Sequence, residues 1–556
     1  MSQDNGAHGQ TGATNESNNA YDGLAVNPSA STDATLNARA KRKGGRGPAG
    51  WAWALIAVIV AAALVLGAWL AVGRSGGKDD AQSALHTAKA DSITIGLKLA
   101  PVNLDIRTQS GNALMQLLIG NVYEGIVGRD SSNQVTPAIA DSWEQSDDGL
   151  TYTFHIAKGL EFSNGDTLDA EDAAWSVQQM LEKKYYDYEQ LGDVASVKAT
   201  DASTLVITLA KPNANFLWYL SARPGLVFDK DANYDPKTEA VGSGPYTIEK
   251  FVPNDSVTLK ANENYKGRNK PKTKTIVVRY LTDENAAVNA LKSGDVQVLS
   301  PINENLAKPL EDDPNYVIKA GDGSDKYVLA FNNKRAPFTD KRVRQAIRYA
   351  IDHEQIIASR GGADKALGGP IPPVDPGYED LTDLYPHDVK KAQSLMKEAG
   401  YSADKPLKVT LTYANTYGTE LGDQLRSQLK DVYIDLSINY VEFSTWLQDV
   451  HKNADYDLSL VDHAESHDFE QWADPTYYYG YDNPEVQDLY AKAMAATSQD
   501  ECDKLLAKAA RLVSEDAAAD WLFSYRITTA TVKGVEGFPF DLSQTVLPLW
   551  NVTYTK

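Results

Sequence analysis

The chain has 556 residues, more than one ordinary core holds, and its length predicts two or three packed units. A hydrophobic content of 42% with ten Trp and 29 Tyr describes a folded protein rich in aromatic recognition surface. The net charge of -21 repels phosphate backbones and argues against nucleic acid as a partner, and the single cysteine, Cys502, excludes a disulfide framework or a Cys-based metal site within one chain. Cys502 falls in the helix-like DECDKLLAKAARLV, where a small buried apolar residue is expected.

Residues 1–50 are rich in Gly, Ala, Ser, Asn and Thr, bury too little to fold alone, and predict a disordered cytoplasmic tail. The basic run KRKGGR (Lys41 to Arg46) then precedes 23 uncharged residues, Trp51 to Gly73. At about 1.5 Å per residue this segment crosses a roughly 30 Å hydrocarbon core, with Trp51, Trp53 and Trp69 where interfacial aromatics belong. The basic flank places the preceding side in the cytoplasm and everything after Gly73 outside the membrane. A cleaved signal peptide, with Ala71-Val72-Gly73 as cleavage site, is the alternative; the apolar run exceeds the roughly 7 to 15 residues of a signal core, and a retained anchor is expected. With no cysteine close behind the run, the chain does not read as a lipoprotein.

Residues 74–90 read as a polar linker, and SITIGLKL (Ser92 to Leu99) opens the folded part as a strand. In LTYTFHI, Leu150, Tyr152, Phe154 and Ile156 alternate with Thr151, Thr153 and His155, so one face is buried and His155 points to solvent. Asn164-Gly165 marks a tight turn, Asp169 with Glu171 and Asp172 opens a helix through Trp175 and Met180, and TLVITLA is the next strand. VGSGPYTIEKF and SVTLKAN read as strands; TDENAAVNALKSG is a helix capped near Thr282 or Asp283 and closed by Gly294. FTDKRVRQAIRYAIDHEQII and PHDVKKAQSLMKEAG are amphipathic, with stripes of Val343, Ile347, Ala350 and Ile351, and of Val389, Ala392, Leu395, Met396 and Ala399. Mixed strands and helices without a short repeat favour α/β lobes over a barrel, propeller or solenoid.

Several phrases in shared order resemble the family 5 solute-binding proteins of ABC importers: NLDI (Asn103 to Ile106), NVYEGIVGRD (Asn121 to Asp130), PAIADSWEQSDDGLTYTFHIAKGLEFSNGDTLDAEDAAWS (Pro137 to Ser176), VGSGPY (Val241 to Tyr246) and YVLAFNNKRAPFTDKRVRQAIRYAID (Tyr327 to Asp352). KAQSLMKEAGY and VKGVEGFPF add to them. The resemblance implies a two-lobed, periplasmic-binding-protein-like α/β fold with an extra small domain: lobe I from 91–122, 237–326 and 520–556, the small domain from 123–236, and lobe II from 327–519. The chain would cross between lobes near Tyr327 to Phe331 and near Trp521, as a hinge that closes over ligand.

The stretch VDHAESHDFEQW, residues 461–472, concentrates two histidines and four acids. His463 and His467 have the separation of a zinc hydrolase helix, but the acid is Glu465 rather than a glutamate directly after the first histidine, and the preceding ADYDLSLVD reads as a strand entering a loop. No metal site is therefore expected. The resemblance implies instead an aspartate here that pairs with a ligand's α-amino group. Alignment on the strand Asp457 to Val461 puts Asp468 within about a residue of that position, with Glu465 as fallback and Asp474-Pro475 as a rival register. His463, His467, Trp472, Trp446 and Asn332 are further candidate ligand-binding residues; Tyr477, Tyr478, Tyr479 and Tyr481 could wall a cleft, although three consecutive tyrosines cannot share one side of an extended chain.

The resulting expectation is a membrane-anchored, monomeric extracytoplasmic receptor that captures a small solute, a peptide, and hands it to an ABC permease, without cofactor or covalent chemistry. The same scaffold could serve an oligosaccharide or a chelated metal. A receptor that signals without a dedicated permease is a further alternative. An extracellular hydrolase is the rival class, but Gly242-Ser243-Gly244-Pro245 lacks the full Gly-x-Ser-x-Gly elbow and no motif singles out a carboxylate pair.

Overall fold

The computed structural model describes residues 90–109, 111–543 and 545–556. The expected tail (1–50), membrane anchor (51–73) and all but the last residue of the linker (74–90) lie outside the described residues. Among the described residues, no helix is long and apolar enough to cross a membrane.

Three principal sheets organise the chain. The alternation in LTYTFHI becomes the strand Thr151–Ile156, with Tyr152, Phe154 and Ile156 buried and His155 exposed. It pairs antiparallel with Ala140–Gln145 and Thr204–Leu209, and Val194–Asp201 completes a four-stranded sheet. The helix Ala170–Lys183 packs on it, started by a capping box in which Asp169 and Asp172 satisfy each other's backbone.

A seven-stranded sheet takes the strands in the order Tyr316–Gly321, Ile527–Val532, Val298–Ser300, Ser92–Leu97, Thr275–Tyr280, Ser256–Ala261 and Tyr246–Val252. Its centre is parallel: Ser92–Leu97 pairs with both Thr275–Tyr280 and Val298–Ser300. The helix Glu284–Ser293 leads into this centre, capped by Asp283 and ended by Gly294 at φ 80°, as local sequence predicts.

A five-stranded sheet takes Ile434–Val441, Leu407–Ala414, Leu458–His463, Lys326–Phe331 and Ala519–Ser524 in that order. Its last three strands are buried on both faces. Tyr327, Leu329 and Phe331 face a cluster with Val343, Ile347 and Met396, while Val328 and Ala330 face one with Trp446, Trp472 and Trp521. The amphipathic stretch after Phe338 is two helices rather than one. Lys341–Ala350 ends as Ile351 turns extended, because Asp352 caps a new helix, His353–Ser359, by accepting from the Gln355 N–H.

The two larger sheets are joined by short crossings. One is 322–325, between Tyr316–Gly321 and Lys326–Phe331; the other is Tyr525-Arg526, between Ala519–Ser524 and Ile527–Val532. Tyr327 to Phe331 and Trp521, expected near the crossings, are strand residues a few positions inside the five-stranded sheet, because their alternate side chains fill its two cores. The crossings lie side by side: Arg526 Nε is 2.7 Å from Asp322, Lys365 Nζ is 2.8 Å from the same carboxylate, and the Tyr525 N–H donates to the Asp325 carbonyl.

Candidate functional site

The strand Leu458–His463 pairs antiparallel with Lys326–Phe331, placing His463 opposite Lys326 and Asp462 opposite Tyr327. Side chains alternate along a strand, so His463 shares the Trp446 face while Asp462 shares the face of Leu458 and Leu460. The chain then leaves the strand, and His467 adopts φ 60°. Helical spacing of the two histidines therefore does not apply.

Lys326 organises this loop. Its ammonium lies 3.1 Å from the Asp468 carboxylate and donates to the carbonyls of Glu465 (2.7 Å) and Ser324 (3.1 Å). Burial pushes the lysine pKa down, but Asp468 and Asp375 outweigh it and hold the pKa above its ordinary value. Asp468 is pushed up to about 6 by burial despite Lys326, and Glu465 to about 8 by burial and the charge of Asp468.

His463 is buried, its Nε2 2.5 Å from the Tyr479 hydroxyl and 3.2 Å from that of Tyr478. Burial and Lys326 hold its pKa well below the usual range, so it is a neutral imidazole. Two consecutive tyrosines reach one nitrogen because the chain turns there, the Gly480 N–H donating to the Tyr477 carbonyl. Donor atoms of His463, Glu465 and Asp468 lie within 4.8 Å of one another, a set that could hold a metal ion. The Lys326 ammonium already supplies positive charge at that point, and a metal would have to displace it.

The other half of the site comes from around the four-stranded sheet. His467 stacks on Trp218 with ring centres 4.5 Å apart, and its Nδ1 lies 3.0 Å from Asn215 Oδ1. Burial lowers its pKa to about 4. The Arg129 guanidinium lies 4.6 Å from the Trp218 ring centre, and Arg129 Nη1 and Trp218 Nε1 both donate to Asn133 Oδ1. Asp375 collects hydrogen bonds from Asn133 Nδ2, the Ser466 hydroxyl and the His467 N–H, so it fastens the two halves together. A small, partly open cleft lies at this junction, lined by Asn215, Asp375, His467, Asp468, Tyr490 and Met494 among others.

Four of the candidates read from sequence, His463, Glu465, His467 and Asp468, come together in this loop. The other three have internal partners. Trp446 donates to Ser459 Oγ within the core; Asn332 donates to the carbonyls of Ala454 and Tyr456; Trp472 stacks on Tyr479 at 4.3 Å and packs on Trp521. Lys326, Asp375, Asn133, Arg129 and Trp218 were not singled out by sequence reasoning. Lys326 had a usable signal, a cation directly heading the apolar run YVLAF; the rest meet the loop only through tertiary packing.

Comparisons with known proteins bear on the family and the fold. Heme-binding protein A of Haemophilus influenzae is 31% identical over 380 residues, 62% of this chain and 68% of that protein. Glutathione-binding protein GsiB of Salmonella paratyphi A is 30% identical over 309 residues, 52% of this chain and 58% of that protein. The structure of the ABC transporter-associated periplasmic binding protein DppA from Helicobacter pylori in complex with peptide STSA superposes with a TM-score of 0.69 at 24% identity, covering 84% of this chain and 98% of that one. The family model for bacterial extracellular solute-binding proteins, family 5, matches residues 134–485, and the chain belongs to that family.

Proposed function

We propose that the chain is the extracytoplasmic receptor of an ABC importer, held at the membrane by Trp51 to Gly73, and that it captures a peptide between two lobes and delivers it to a permease. In this reading the small domain comprises 123–236, and the expected boundary between lobe I (91–122, 237–326 and 520–556) and lobe II (327–519) shifts to the short crossings 322–325 and 525–526 as the hinge, because Lys326 and Ala519–Ser524 belong to the five-stranded sheet. The observation that carries the proposal is the polar loop Glu465 to Asp468, which touches Asn133, Asn215 and Trp218 directly, beside a cleft lined by Asn215, Asp375, His467 and Asp468. Such a site suits a small polar solute held by a few convergent groups. Glu465, His467 and Asp468 would face the solute, and His463 would support the loop from behind. Asp468 acts within its pair with Lys326 rather than as a free anion.

The peptide reading draws on relatives whose names specify glutathione and a bound peptide. The test is a thermal-shift panel on the full-length protein with di- to deca-peptides, oligosaccharides, heme and metal chelates. A ligand at about 100 times its Kd adds roughly 2.7 kcal/mol to the folded state, enough to move a melting curve. A response to peptides supports the reading; a response confined to sugars, heme or chelates overturns it.

A further inference from the structure

The turn Arg360 to Lys365, RGGADK, is fixed to the five-stranded sheet at both ends. It follows the helix His353–Ser359, whose Ile356 lies in that sheet's core, and Lys365 exchanges backbone hydrogen bonds of 3.1 and 2.8 Å with Ser524. Two consecutive glycines shape it, Gly361 at φ 114° and Gly362 at φ 93°, in a region that other residues enter only under strain. The buried Asp364 holds the turn closed by accepting from Arg360 Nε at 2.6 Å and from the Arg526 N–H at 3.2 Å. Arg526 Nη1 also donates to the Ala363 carbonyl, which ties the turn to the second crossing.

Glu304 reaches this turn from the other side. It opens the helix Glu304–Glu311, which follows the strand Val298–Ser300 and packs Ala307 and Leu310 into a cluster with Leu299 and Ala530 of the seven-stranded sheet. A Cβ added at Gly361 would collide with Glu304 Oε2 and would lie 2.7 Å from Glu304 Cβ and 2.9 Å from its Cδ. Turning the carboxylate aside relieves the contact with the oxygen. It cannot relieve the contact with Cβ, which is fixed to the helix backbone. Glu304 therefore occupies space that exists only because residue 361 has no side chain. Its Oε2 is buried without a hydrogen-bond partner. Burial and Asp364 oppose the charge of Glu304, while the Ala363 N–H, Arg360 and Lys308 favour it.

We propose that Glu304 seated against Gly361 is a brace that sets the angle between the two larger sheets. Lobe I supplies the side chain and lobe II the socket, so the inference rests on the two-lobe reading but not on the identity of the solute. Each half of the contact is fixed to its own sheet, so rotation about the crossings moves Glu304 against the turn. Oε2 regains water when Glu304 leaves, which offsets part of the lost packing and keeps the brace reversible.

The test is a spin-label distance measurement on the full-length protein without added solute. Cys502 is buried, so labels go to cysteines introduced at Lys292 and Lys430, exposed residues of the helices Glu284–Ser293 and Glu420–Lys430. Gly361→Ala should shift the mean interlobe distance by about 2 Å or more. Gly362→Ala is the control: it carries the same kind of backbone strain, but its added Cβ meets nothing within 4 Å, and it should keep the parent's distance. Glu304→Gly should broaden the distribution, and Gly361→Ala combined with Glu304→Gly should match Glu304→Gly alone, the non-additivity expected of two residues in contact. Glu304→Gly leaves the strained turn untouched, so it reads the brace even if Gly361→Ala fails to fold. The inference is overturned if Gly361→Ala and Gly362→Ala give the same distribution, if the Gly361→Ala shift persists without the Glu304 side chain, or if Glu304→Gly leaves the distribution unchanged. Lobes that move as expected in a protein that no peptide stabilises would overturn the peptide reading and leave the brace standing.

Discussion

Lys326 and Asp468 form a buried ion pair 3.1 Å apart, the lysine from the first residue of a central strand and the aspartate from the loop that follows the neighbouring strand. Removing one partner strands the other charge away from water. Lys326→Met should therefore destabilise the protein by about 3 to 5 kcal/mol. Denaturant unfolding checks this, and Lys326→Met with Asp468→Leu should recover most of the loss. A single variant as stable as the parent would mean that the pair contributes nothing.

The buried acids of the loop and of the neighbouring crossing set a pH dependence of stability with an unusual sign. Glu465, Asp325 and Asp468 have folded pKa values raised by burial to about 8, about 7 and about 6. A raised carboxyl pKa means the folded state binds the proton more tightly, so the slope of stability with pH is negative across that window. The melting temperature should rise as pH falls from 8 towards 6.5. Below about 6.5 the buried histidines oppose it, since His467 at about 4 and His463, lower than usual, resist the protonation that the unfolded chain accepts. A melting temperature that climbs steadily from pH 6 to 8 would contradict this assignment.

Trp218 joins the two halves of the site through His467, Arg129 and Asn133. Stacking of this kind contributes about 0.5 to 1.5 kcal/mol, and the cation-π contact a similar amount. Trp218→Ala should raise the Kd of a captured solute roughly tenfold, while the cores of the two larger sheets remain intact. Small-angle scattering should record a larger radius of gyration for the variant. Unchanged scattering and affinity together would show that Trp218 plays no part in closure.

Where a structural decision is local, it was legible in the sequence. Asp283 and Gly294 bound their helix because a side-chain cap and a left-handed glycine act within one turn. The break at Ile351 was not legible, since the apolar stripe continues across it and only the competing Asp352 cap interrupts the backbone. In the loop, acids and histidines were visible as composition, and the strand-to-loop reading matches the strand Leu458–His463. What composition could not supply was the partner of each group. Asp468 meets Lys326 because two strands pair in one register, and His467 meets Trp218 because two segments far apart in sequence come together. Trp446 and Trp472 looked like cleft aromatics for the same reason: only the packed sheet reveals that their faces are covered.

Gly321, the last residue before the first crossing, tests how tightly the crossings are held. A Cβ added there would fall 1.8 Å from the Phe540 carbonyl oxygen and 2.3 Å from its carbon, both backbone atoms that cannot swing aside. The same segment is tied down nearby, where the Leu542 N–H donates to the Asp322 carbonyl and Asp541 accepts from the Asp322 N–H. Gly321→Ala must therefore displace the 540–542 segment or the crossing itself, at a cost of about 1 to 3 kcal/mol. Gly323→Ala is the control, since the nearest atom to its added Cβ is a carboxylate oxygen of Asp325 at 3.1 Å, the end of a side chain that can move. Gly321→Ala should melt several degrees lower than both the parent and this control, and because the crossings are the proposed hinge, its solute affinity should fall as well. If it melts with the parent, the Phe540 segment yields freely and does not restrain the crossing.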